Sequence, residues 1–160
     1  MLGAFAATLH LVAIGVGLAA MLFRGVLIGE MTDADGRNRV LTADNVSGMA
    51  AMVMIGAGLW RLFGGLAKPV AWYMENDAFF LKMGLLGLLL LIELIPMTIL
   101  LQWRIATARH ARSGAAGEPT LWQADGRLVQ GVTFVEFAIG ITIVFVATMM
   151  ARGVGMQLFG

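Results

Sequence analysis

A chain of 160 residues that is 59% hydrophobic and only 13% charged, with a mean hydropathy of +0.85, carries too much apolar surface for a water-soluble domain of its size. A formal net charge of +1 gives no long-range field to gather nucleic acid, and no basic cluster with interleaved aromatics stands out. Cysteine is absent, which removes disulfides, thiolate metal sites and cysteine nucleophiles.

An all-α integral membrane protein follows. The reading is a single domain over 1–160, a four-helix antiparallel transmembrane bundle with spans at about 3–28, 44–64, 78–103 and 129–151. The opening MLGAFAATLHLVAIGVGLAAMLF lacks the basic start of a cleaved signal, so it reads as the first membrane helix. The first link, EMTDADGRNRVLTA, has the look of a calcium loop, but its glycine comes too early and no glutamate closes it. The second link, GLAKPVAWYMEND, concentrates turn residues. The third span contains Glu93 inside LLLLIELIPM, and Pro96, which removes a backbone donor one turn later, predicts a kink. The last link is RIATARHARSGAAGEPTLWQADGR, where His110 lies solvated among arginines. ADGR occurs at 34–37 and 124–127, a recurrence too short to mark a duplication.

Trp60, Trp72 and Tyr73 would form an aromatic belt at one membrane surface, with Trp103 and Trp122 at the other. The first and third links carry Arg37, Arg39, Arg104, Arg109, Arg112 and Arg127, against Arg61, Lys68 and Arg152 on the opposite side. The positive-inside rule then makes those two links cytoplasmic and leaves both termini outside a multi-pass protein of the bacterial inner membrane.

Helical spacing gives every span one polar face. His10, Gly17 and Arg24 stand seven apart, and Lys82, Glu93 and Arg104 eleven apart. Asp44, Ser47, Ala51, Met54, Gly58 and Arg61 line the second span, and Thr133, Glu136, Gly140 and Ala147 the fourth. A charge at the bilayer centre costs about 2.5–3.5 kcal/mol on insertion scales, so these faces should turn inward. Arg24, Asp44, Glu93, Arg104 and Glu136 then form a buried charge network, in which Arg24 should pair with Asp44 or Glu136. At the other end His10, Arg61 and Lys82 cluster.

The stretches LTADNVSGMAAMVMIGAGLWRLF, WYMENDAFFLKMGLLGLL and IELIPMTILLQWR, within about residues 5–106, resemble a family of bacterial predicted membrane proteins, domain of unknown function 2214. That resemblance implies a membrane location and no activity. A histidine early in the first span, an arginine about four turns on and a lysine opening the third also resemble the layout of the four-helix protoporphyrinogen oxidase family, and of copper-resistance D membrane proteins. In the oxidase family the histidine and lysine are implicated in haem binding and activity, and the matching positions are His10, Arg24 and Lys82. This chain departs from that pattern in lacking the proline before the arginine and the histidine after the first span. With one intramembrane histidine, it cannot provide both axial ligands of a bis-histidine haem.

Three functions remain open. His10 could bind a metal or b-type haem through a neutral imidazole nitrogen, with Arg61 and Lys82 near the carboxylates of a tetrapyrrole. His10 could equally be an interhelical hydrogen-bond partner, and Lys82 could snorkel to the surface. Glu93 and Glu136 could serve a small proton- or ion-coupled carrier, or simply pair with Arg24 or Arg104. The chain could instead be a non-catalytic subunit, joining a membrane-protein partner or further copies of itself through its leucine-rich faces. Twelve methionines show no clustered Met-x-x-Met pattern and read as packing. No catalytic residue is assigned; the expected partners are the lipid bilayer and other membrane proteins, not nucleic acid.

Overall fold

The computed structural model describes residues 1–113 and 122–155. Five helices follow one another: α1 (Leu2–Glu30), α2 (Ala34–Phe63), α3 (Val70–Met74), α4 (Asp77–Ser113) and α5 (Trp122–Ala151). Among the described residues, four helices are long and apolar enough to cross a membrane: α1, α2, α4, and α5 over Asp125–Ala151. The large apolar side chains left exposed on their outer faces, such as Phe23, Leu91 and Phe145, are what a lipid environment accommodates.

The helices outrun the apolar spans. Most of the first link is helix, because α2 begins at Ala34 rather than near 44. Asp33 sets that start: its side chain accepts from the Gly36 N–H at 2.8 Å, and Asp35 in the first turn suits the positive helix end. DADGRN is therefore a helix start. The third span likewise continues to Ser113, with His110 and Arg112 in its last turn, where positive charge favours the helix terminus. Residues 114–121 of the last link lie outside the described residues. Pro96 sits fully buried within the continuous α4.

Small residues decide the packing. Ala6, Ala13 and Ala20 form a sevenfold stripe buried on α1, and Ala50 and Ala57 are buried on α2. Backbones can approach closely along such stripes. On the other side of α1 a Cβ at Gly140 of α5 would lie 2.6 Å from Leu18 Cδ2, so the tip of Leu18 fills the space this glycine leaves between the two helices. α1 thus packs on both α2 and α5, and α5 packs on α4. The fourth side, between α2 and α4, is bridged by long polar side chains.

The bundle has two distinct ends. Met1, α3 and Gly155 share one, called here the terminal end. There Gly155, at φ +105°, offers its carbonyl to the Asp77 N–H at 3.0 Å, and Asn76 Oδ1 accepts from Ala78 N at 3.0 Å. Ala78, Phe79, Val146 and Met150 form its apolar core. At the opposite, link end the core is Ile28, Val40, Leu100, Trp103 and Val129. Trp103, only 3% exposed, is thus an interior residue and not part of an aromatic belt, because its helical face coincides with that of Leu100. Trp60, at 43% exposed, does face outward.

Candidate functional site

Arg24 is the centre of the link half of the bundle. It projects from α1 with its side chain fully enclosed, and every nitrogen of its guanidinium has a partner. Nε donates to Thr133 Oγ1 at 3.1 Å. Nη1 donates to Asp44 Oδ1 at 2.9 Å and to Glu93 Oε1 at 2.7 Å. Nη2 donates to Glu93 Oε2 at 2.9 Å and to Glu136 Oε2 at 2.5 Å. The contact with Glu93 is therefore bidentate, the geometry to which a planar guanidinium is best suited.

These partners come from all three other spanning helices: Asp44 from α2, Glu93 from α4, Thr133 and Glu136 from α5. Arg104 completes the group from α4, donating through Nη2 to Asp44 Oδ2 at 2.9 Å and to the Leu41 carbonyl at 3.3 Å. Asp44 thus bridges two guanidiniums. Enclosure is graded: the Glu136 side chain is 0% exposed, Asp44 17%, Glu93 25% and Arg104 35%. The oxygen Glu136 Oε1 is buried with no hydrogen-bond partner.

The carboxylates expected from spacing alone thus meet one arginine. Thr133 was visible only as a member of the polar face; its position one turn before Glu136 on the same helix is the signal that would have placed it on Arg24. Arg37, read as a link residue, is only 5% exposed within α2.

The terminal half is organised differently. His10 Nδ1 is 2.8 Å from the Met54 carbonyl of α2. A carbonyl only accepts, so Nδ1 carries a proton, and in the neutral ring Nε2 keeps its lone pair. A Cβ at Gly58 would come 3.1 Å from His10 Cε1, so a glycine there lets the ring seat against α2. Arg61 and Lys82 both lie within electrostatic reach of His10, and Arg61 within reach of Lys82. Lys82 Nζ stands 5.4 Å from the centre of the Phe79 ring, and Arg61 Nε is buried without a hydrogen-bond partner. Among the described residues no group of three or more His, Cys, Asp or Glu side chains forms a metal site.

A groove of about 630 Å³ runs between α1 and α2, lined by Val16, Phe23 and Leu27 on one side and Asn38, Arg39 and Val46 on the other. None of His10, Arg61 or Lys82 lines it.

Four apolar helices around an ion-paired interior define the class: a multi-span helical membrane protein. Over residues 2–155 the chain matches the family described as "Predicted membrane protein (DUF2214)", and it belongs to that family. No curated protein and no solved structure matches the chain. The similarity to the protoporphyrinogen oxidase and copper-resistance D layouts has no counterpart in these comparisons.

Proposed function

We propose that this membrane protein binds an anionic tetrapyrrole, haem b foremost, at the terminal end of the bundle, with His10 as its ligand. The observation that carries this reading is the His10 Nδ1–Met54 carbonyl hydrogen bond. Histidines that hold metals commonly donate their other ring nitrogen to a backbone carbonyl or carboxylate, which fixes the tautomer and orients the ring. His10 has that arrangement, with Nε2 left as the donor atom.

The charges beside it fit the same group. A haem brings two propionates, and Arg61 and Lys82 supply two cations next to His10. The buried Nε of Arg61 has a hydrogen bond to give. Bound haem would contribute one-electron redox chemistry, and this chain's part would be to ligate, neutralise and shield it. Any further protein ligand to the group would come from another copy or a partner. In this reading the arginine-rich links face the cytoplasm of a bacterial inner membrane, so the His10 site lies towards the outer surface.

The test is the absorption spectrum of protein purified from cells supplied with haem. The expected result is a Soret band with a positive pyridine haemochrome assay, lost in H10A and weakened in R61A and K82A. A colourless wild-type protein under those conditions refutes the reading.

A further inference from the structure

We propose that Glu93 and Glu136 together hold one exchangeable proton in the middle of the bundle, independently of any ligand at His10. The enclosed group contains three carboxylates, Asp44, Glu93 and Glu136, and two guanidiniums, Arg24 and Arg104. With every group ionised it carries one negative charge in excess. An unbalanced ion inside an apolar bundle is strongly disfavoured, and uptake of a single proton removes the imbalance.

The geometry says which groups share it. Asp44 already accepts from two arginines, one on each oxygen. Glu93 and Glu136 instead converge on one nitrogen, Arg24 Nη2, through their Oε2 atoms. The two carboxyl groups also act on each other, and an acid beside a carboxylate can share a hydrogen bond where two ionised carboxylates cannot. Glu136 Oε1, in a side chain with no exposed surface, is the one carboxylate oxygen of the group left buried without a donor. Protonation removes the charge from a carboxyl group whose Oε1 has no donor to stabilise it. The facing charges on every packed helix are Arg24 from α1, Asp44 from α2, and Glu93 and Arg104 from α4. Arg37 lies seven residues before Asp44 on α2, about 10 Å further towards the link end.

Exchange has one visible route. Glu136 is sealed, while Glu93 keeps a quarter of its side chain exposed. A proton would therefore enter and leave through Glu93 and reside between the pair.

Infrared difference spectroscopy of the intact protein in lipid nanodiscs, titrated from mildly acidic to alkaline pH in sodium-free buffer, tests this. The wild type should show the C=O stretch of one buried carboxylic acid at neutral pH, shifted in D2O and lost at alkaline pH. E93Q and E136Q should each lose that band, since either leaves the remaining carboxylates matched to the two arginines. Absence of the band from the wild type at neutral pH overturns the proposal, and so does a band that survives in both variants. If the wild type lacks the band and instead binds sodium by calorimetry, a metal cation supplies the balance and the proton is refuted. The wild-type spectrum decides the matter even if a variant fails to fold.

Discussion

The two halves of the bundle solve the cost of buried charge in opposite ways. At the link end a single guanidinium gathers carboxylates from all three other spanning helices, so its charge is matched within the chain. At the terminal end two basic side chains, Arg61 and Lys82, lie beside His10, and theirs are the charges acting on it. The first arrangement fastens helices to one another. The second leaves attraction unspent, which is the condition for holding something the chain does not itself provide.

The sharpest way to break that contrast is to remove Arg24. R24A leaves three carboxylates enclosed without their shared cation, and losing one partner of a buried pair costs about 3–5 kcal/mol. The variant should elute as aggregate where the wild type is monodisperse in detergent, and R24K should not restore it, because an ammonium cannot reproduce the fork. Next in size is D44N, which keeps the shape but takes one charge from between two arginines. Hydrogen bonds to charged groups are worth about 1.5–3 kcal/mol, and the fall should appear as a lowered melting temperature. G140L tests the α1–α5 contact beneath the network; overpacking costs about 1–3 kcal/mol, read in the same melt, whereas G140A asks only that the tip of Leu18 turn aside. The smallest change belongs to the terminal end. K82A should shift stability by no more than about 0.5 kcal/mol, because no carboxylate acts on Lys82 and its removal breaks no ion pair. A large destabilisation by K82A would mean that both halves are structural.

Much of this was legible in the sequence because the membrane imposes simple rules. Spans of apolar residues must be helices, and charges within them must turn away from lipid. That logic put Arg24, Asp44, Glu93 and Glu136 on inward faces. It could not say that Glu93 takes two of Arg24's hydrogen bonds, since periodicity fixes direction and not rotamer. Nor did it find where helices end: the charged stretch after Asp33 is helical because a cap starts it, and hydropathy does not register caps. Trp103 was misplaced because tryptophan is common both at interfaces and in cores, and only the faces of its neighbours separate the two. His10 was visible as a lone polar residue, but its partner is a backbone carbonyl, which leaves no trace in residue type.

The spacing of Arg24's partners along the chain also bears on how the molecule is made. Asp44 follows it by 20 residues, Glu93 by 69 and Glu136 by 112. During synthesis the arginine enters the bilayer long before two of its anions exist, so the first hairpin must be stabilised by Asp44 alone. The second hairpin then arrives carrying both glutamates, and its docking completes the ligation. Assembly is thereby given an order, with the late-made helices recruited by guanidinium N–H groups that the first hairpin leaves without an acceptor.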